Sequence, residues 1–165
     1  MVTNARIDTE TVLTVDNLRT HFTTRWGTVK AVDGISFDLR KGETLGIVGE
    51  SGCGKSVTML SLMRLIPEPP GRIVSGSITL DGEDLVQISE QEMAEIRGSK
   101  IALIIQDPMT SLNPVFSIGD QVEEAIKIHQ DLPKRSIMQG ALDVLRKVNI
   151  PAAESRVKDL SLIHI

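Results

Sequence analysis

Tyrosine is absent from this chain, and aromatic residues of all kinds make up 2% of its 165 residues. A core must therefore be built from Ile, Leu, Val and Met, and the stacking platforms that commonly hold single-stranded nucleic acid are missing. Positive charge is not in excess. With 22 Asp and Glu against 18 Lys and Arg, the formal charge is −4, which leaves no electrostatic footprint for DNA or RNA, and no nucleic-acid partner is expected. One cysteine, Cys53, excludes an internal disulfide and suits the reducing cytoplasm. No run approaches the roughly 18 apolar residues of a spanning helix, and residues 1–8 lack the apolar stretch of a signal peptide. The expectation is a cytoplasmic protein whose membrane contact runs through a partner. What is present, 41% apolar and 24% charged residues, is ordinary for a globular domain.

Periodicity divides the chain into segments. Residues 1–10 read as a polar lead. From Thr11, the apolar residues Val12, Leu13, Val15 and Leu18 are mixed with polar ones, as in half-buried strands. Residues 23–28, with Arg25-Trp26-Gly27, read as a turn. Residues 29–39 form a second strand with a bend or bulge at Asp33-Gly34. Lys41-Gly42 turns the chain into residues 43–48, predicted to be a buried parallel strand. Residues 49–54 form a loop, and helical spacing runs from Lys55 to about Leu65, stopped by Pro67-Glu68-Pro69-Pro70-Gly71. Residues 75–80 and Asp81-Gly82 predict a hairpin strand with a tight turn. Residues 90–97 predict a short helix and 101–105 an all-aliphatic strand. Residues 117–130 and 134–148 predict two further helices, with Pro133 placed for a first helical turn. The order implies a mixed α/β core with an antiparallel N-terminal part and a helical portion beginning near residue 115.

The chemistry concentrates in Gly49-Glu50-Ser51-Gly52-Cys53-Gly54-Lys55-Ser56, which fits the phosphate-loop pattern G-x-x-x-x-G-K-[ST] between a predicted strand and a helix. Glycines let the backbone curl so that successive N–H groups point inward at phosphate oxygens. The following helix adds unpaired donors and its positive dipole end. Lys55 supplies a point charge for the β- and γ-phosphates, and the Ser56 hydroxyl is placed to ligate Mg²⁺. With glycine at about 7% of residues, a chance match in a chain this long has odds of roughly 1%, so the pattern is read as nucleotide binding. Cys53 is read as a small filler of the loop. The guanine-reading N-K-x-D and the switch D-x-x-G of GTPases do not occur after Ser56. Nor do Arg64, Arg72 and Arg97 cluster as the lid of a small-molecule kinase would require. The three histidines, His21, His129 and His164, have no metal-ligand neighbour at useful spacing.

The residues around the loop resemble a known family. Val32-Asp33-Gly34-Ile35-Ser36-Phe37-Asp38 and Lys41-Gly42-Glu43, closing on Gly49-Glu50-Ser51-Gly52, are similar to the start of an ATP-binding-cassette (ABC) nucleotide-binding domain. Gln106 matches the Q-loop glutamine of that family. The run Gln106-Asp107-Pro108-Met109-Thr110-Ser111-Leu112-Asn113-Pro114 resembles the ATPase subunits of bacterial oligopeptide and dipeptide importers, as do Lys55-Ser56-Val57-Thr58 and Met63-Arg64-Leu65-Ile66-Pro67. The resemblance extends from about Val12 to Asp159. It implies a P-loop NTPase fold in which residues 49–57, that is Gly49, Glu50, Ser51, Gly52, Cys53, Gly54, Lys55, Ser56 and Val57, bind ATP. Ser56 and Gln106 would serve Mg²⁺, with Gln106 also addressing the attacking water. Phe22 would stack on adenine, with Trp26 as its rival. The implied partners are transmembrane permease subunits, a second ABC ATPase subunit in a head-to-tail dimer and, indirectly, a solute-binding protein. The implied place is the cytoplasmic face of the bacterial cell membrane, peripheral through the permease.

The family pattern also breaks. Neither the signature (Leu-Ser-Gly-Gly-Gln-like), nor a Walker B strand with its catalytic Glu, nor a switch His is present, and Leu160-Ser161-Leu162-Ile163-His164-Ile165 departs from the family. Asp107 does not substitute for the Walker B aspartate, because it stands behind Gln106 and before Pro108. The expectation is an incomplete domain: 1–10 lead, 11–114 partial ATPase core, 115–159 partial helical subdomain, and 160–165 atypical tail. Such a chain would bind ATP-Mg²⁺ without hydrolysing it, and strands 43–48 and 101–105 would be short of neighbours. Alternatives are a non-catalytic nucleotide-binding or interaction module, an ABC ATPase for another small solute such as nickel, or one serving DNA repair. The acidic balance speaks against the last.

Overall fold

In a computed structural model, residues 11–105 and 111–160 are described. The chain divides into two compact units, Met1–Ala94 and Glu95–Ile165, each treated by itself below.

The first unit is built on a four-stranded antiparallel sheet of order β2-β1-β3-β4. Strand β1 (Thr11–Thr24) and β2 (Gly27–Arg40) form a long hairpin closed at Thr24↔Gly27. Strand β3 (Gly71–Leu80) pairs along the other edge of β1 and turns at Asp81-Gly82 into the two-residue β4 (Glu83–Asp84). The alternation read from Thr11 onward thus belongs to a real half-buried strand: Leu13, Val15, Leu18 and Thr20 are buried, and polar residues intervene. The pairing steps from Leu18↔Ile35 to Arg19↔Asp33. This skips Gly34, whose φ of +86° marks the predicted bulge. On the core side Val32, Ile78, Leu80, Leu85 and Met93 are buried together with Leu62 and Met63, which lie at and just past the end of helix α1 (Lys55–Leu62).

Two predicted strands are not formed. Residues 43–48 form no strand, and Val48 is 92% exposed. Residues 102–105 carry no ladder. Ile101 makes only a single bridge to Arg97, and Ile104 is 96% exposed. The cause is physical: an aliphatic run becomes a buried parallel strand only when strands lie beside it and layers cover both faces. No described strand pairs with either run.

The second unit is helical. Helix α2 (Glu90–Ile96) leads toward it, followed by α3 (Ile118–His129), α4 (Lys134–Lys147) and a short α5 (Ala153–Arg156), which was not anticipated. Ile118, Leu145 and Ala153 form its core with Leu112, Val122, Ile150 and Val157 packed around them. Ser117 caps α3 by accepting the Asp120 N–H at 3.1 Å. The start of α3 is latched to the segment after α5 through Ile118 N–H to Asp159 O and Gly119 N–H to Val157 O. Arg146 joins α4 to α5 by ion pairs with Asp143 on its own helix and Glu154 on the next. Among the described residues no helix is long and apolar enough to cross a membrane.

Helix α2 opens with a reciprocal capping box. The Glu92 carboxylate accepts from the Ser89 hydroxyl (2.7 Å) and the Ser89 N–H (2.8 Å), and the Glu92 N–H returns a bond to Ser89 Oγ (3.2 Å). The hydroxyl bond, and after it the backbone bond, holds the Glu92 carboxyl below the ordinary glutamate range. A folded-state pKa that is depressed contributes stability above the unfolded value and loses it as pH falls through the folded one. Glu92 is therefore expected to titrate by NMR below a solvated glutamate. Glu92→Gln should be destabilised relative to the native chain near neutral pH, and the two should converge in acid. A stability difference that is the same at both pH values would refute this assignment.

Candidate functional site

The loop over residues 49–54 leads directly into α1. Its path is set by Gly52 and Gly54, with φ of +82° and +97°, a region that L side chains rarely adopt. Gly54 is fixed for a second reason. A Cβ there would stand 2.3 Å from the Ala31 carbonyl oxygen of β2, so the last turn of the loop lies against the sheet with no room for a side chain. Gly54 then acts as N-cap of α1, and its carbonyl accepts both the Thr58 N–H (2.8 Å) and the Thr58 hydroxyl (3.0 Å).

Lys55 folds back into the loop. Its ammonium donates to the carbonyls of Gly49 and Glu50, both at 2.7 Å, and stands 3.5 Å from Cys53 Sγ. The Cys53 N–H closes the turn onto Glu50 O at 3.3 Å. Cys53 is exposed and unbridged. Its sulfur lies where a Cβ on Gly49 would stand, at 2.6 Å, so the filler role read from the sequence has a geometric counterpart. Helix α1 has no acidic residue in its first turn and no side chain capping its N-terminus. Its free N–H groups and dipole are therefore not neutralised from within the helix. A loop carrying one cation, a helix N-terminus without carboxylates and the Ser56 hydroxyl is a donor set for a phosphate chain. Ser56, exposed on the first turn, offers the oxygen that a hard divalent cation prefers. The described residues thus fit the phosphate chain of a nucleotide, to whose divalent cation Ser56 would offer one oxygen.

Phe22 and Trp26 are placed differently. Phe22 is half-buried near the end of β1, opposite Gly71 and Val29. Its ring packs so closely on Gly71 that a Cβ there would stand 2.7 Å from Cε1, with Ile66 at 2.3 Å on the same spot. Trp26 sits in the β1–β2 turn, 82% exposed, with the Arg25 guanidinium 4.1 Å from its ring centroid. Gln106 lies outside the described residues.

Sequence reasoning missed the supports behind the loop. Ser61 on α1 and Thr20 on β1 are both fully buried and share a hydroxyl–hydroxyl hydrogen bond of 2.8 Å; Ser61 Oγ also donates to Val57 O at 2.7 Å. Thr20 falls at a core-facing position of the strand alternation, a signal that a buried polar residue with a partner was due. The partner forty-one residues away had no local signature.

Gly54→Ala is expected to lower the unfolding free energy by on the order of 2–3 kcal/mol, from left-handed strain and collision with Ala31. Gly46→Ala, which meets nothing within 4 Å, should change it by less than about 0.5 kcal/mol. Urea denaturation distinguishes them, and equal midpoints would exclude the close approach.

The chain is similar to known proteins. The family model described as ABC transporter matches residues 32–162. The dipeptide transport ATP-binding protein DppD of Bacillus subtilis is 49% identical over 149 residues, covering 90% of this chain and 44% of that protein. The oligopeptide transport ATP-binding protein OppD of the same organism is 48% identical over 146 residues (88% and 41%), and the Escherichia coli DppD is 47% identical over 146 residues (88% and 44%). The chain thus spans less than half the length of these relatives. Among solved structures, the dimeric post-hydrolysis state of the ATP-binding cassette MJ0796 bound to ADP and Pi superposes with a TM-score of 0.77 at 19% identity, over 90% of this chain and 61% of that one. A second dimeric structure of the same cassette gives 0.76. The fold is that of an ATP-binding cassette, and the chain belongs to the ABC transporter family.

Proposed function

We propose that this chain is the nucleotide-binding part of the energy-coupling ATPase of a peptide importer. The observation that carries the reading is the Gly54–Lys55 turn held against β2, with the Lys55 ammonium inside the loop at the unneutralised N-terminus of α1. The peptide assignment is supported by relatives at 43–49% identity that are dipeptide and oligopeptide transport ATP-binding proteins.

In this reading the backbone N–H groups of residues 49–54 and the first turn of α1 receive the phosphate chain. Lys55 exchanges its carbonyl partners for phosphate oxygens, moving a fixed positive charge onto the γ-phosphate. Ser56 would hold Mg²⁺, which would draw charge from the phosphate oxygens, and Gln106 would serve as its companion and as the sensor of the γ-phosphate. Phe22 supplies the apolar face for adenine. Residues after Gln106, into α3, face the transmembrane permease. A second ATPase subunit completes each nucleotide site from the opposite side, and a solute-binding protein delivers the peptide outside. The assembly is peripheral, on the cytoplasmic face of the cell membrane.

Calorimetric titration of the full chain with ATP-Mg²⁺ is expected to show saturable binding, weakened tenfold or more by Lys55→Ala. Undiminished binding by that variant would overturn the site. Phe22→Ala is expected to weaken ATP several-fold while Trp26→Ala leaves it within twofold; the reverse order would move the adenine contact to the turn.

A further inference from the structure

The loop is tied to the sheet at two places. The first is the backbone contact of Gly54 with Ala31 on β2. The second is the Thr20–Ser61 hydroxyl pair, the side-chain hydrogen bond that joins β1 to α1 in a core otherwise lined by Leu18, Val32, Leu62 and Ile78. The two ties act on different parts of the helix. Gly54 fixes where α1 begins. Ser61 lies seven residues further along, close to its end, and fixes the direction in which the helix leaves the sheet.

Thr20 also has a specific neighbour on its own strand. Thr20, His21 and Phe22 pair in unbroken register with Ile73, Arg72 and Gly71. The pleat therefore puts Thr20 and Phe22 on the same face, two residues apart. Hydrogen-bond directions complete the chain of contacts. Because Ser61 Oγ donates its proton to Val57 O at 2.7 Å, the Thr20 hydroxyl must be the donor to Ser61 Oγ. Hydrogen bonds thus link Thr20 through Ser61 to Val57, in the first turn of α1 just after the phosphate loop, and Phe22 stands two residues from Thr20 on the same strand face.

We propose that Thr20 is a positioning residue of the nucleotide site: its bond to Ser61 sets the offset between the base-binding end of β1 and the phosphate loop, so that one ligand can satisfy both. This rests on the reading of Phe22 and residues 49–57 as one ATP site. Phosphate alone needs only the loop, which Gly54 and Lys55 shape. A nucleotide needs the loop and the strand in a fixed relation. Thr20 therefore matters for ATP and not for tripolyphosphate.

The test compares ATP-Mg²⁺ with tripolyphosphate-Mg²⁺ by calorimetry on the full chain carrying Thr20→Val, Thr20→Ser, Phe22→Ala or Thr20→Val with Phe22→Ala. Valine keeps the shape of threonine and leaves no buried donor unpaired, because Ser61 retains its bond to Val57. Thermal unfolding of each variant confirms that it folds. The expected result for Thr20→Val is a five- to tenfold loss of ATP affinity with tripolyphosphate changed by less than twofold. Thr20→Ser should restore ATP binding, and the double variant should lose little beyond Phe22→Ala alone, since both act on the base. Equal loss of both ligands, no loss of either, failure of serine to rescue, or additive effects in the double variant would each overturn the proposal. The underlying site reading fails separately, through a native chain that binds neither ligand, or a Lys55→Ala variant that binds both as well as the native chain does.

Discussion

Strand β1 is hydrogen-bonded along both edges, to β2 on one side and β3 on the other, and the organisation of the first unit depends on this double pairing. It buries Leu13, Val15, Leu18 and Thr20 against the core, and it fixes the register of both neighbours from its own pleat. The β2 contact that confines Gly54, the β3 position that receives the Phe22 ring, and the hydroxyl that reaches α1 are all referred to this one strand. Three or more strands with a hydrophobic face are needed for a sheet to be stable, and this one has four. The loop, whose residues 49–53 are exposed, gains its shape from that support together with its own contacts from Lys55 and Cys53.

The chemistry of the loop follows from what surrounds a single ammonium. Lys55 is held by two backbone carbonyls, so its charge is confined to the concave side of the turn instead of ranging through solvent. Confinement removes rotamer freedom before any ligand arrives, and preorganised charge binds anions with less loss of entropy. The absence of acidic residues from the first turn of α1 acts in the same direction, since a carboxylate there would take the donors that phosphate oxygens require.

Local patterns were legible in the sequence and long-range ones were not. The β1–β2 hairpin, the bulge at Gly34, the Asp81-Gly82 turn, α1, α2, α3 and α4 all rest on neighbours within a few residues: alternation, a turn dipeptide, a cap or a 3.6-residue repeat. The runs 43–48 and 101–105 look the same locally as any buried strand, but a strand exists only with partners, and composition does not reveal whether partners are adjacent. Helix α5 escaped because four residues are too few to show a period. In the site, the glycine and lysine spacing disclosed the loop, since a backbone that must wrap an anion restricts its own residue types. The Thr20–Ser61 tie and the approach of Gly54 to Ala31 remained hidden, because each joins residues more than twenty positions apart.

Trp26 has a consequence for how this molecule can be observed. With one tryptophan and no tyrosine, almost the whole near-ultraviolet signal of the chain originates at the β1–β2 turn. That indole is already in contact with water and lies beside the Arg25 guanidinium. Its emission in the folded chain is therefore that of a solvated ring, and unfolding brings little spectral shift. Intrinsic fluorescence follows the tip of one hairpin and is blind to the helices of residues 95–165, whose state is read instead from far-ultraviolet ellipticity or amide exchange. The molecule is optically quiet everywhere except at a single exposed corner, so a tryptophan placed by design in the helical unit would report without interference from any native ring buried there.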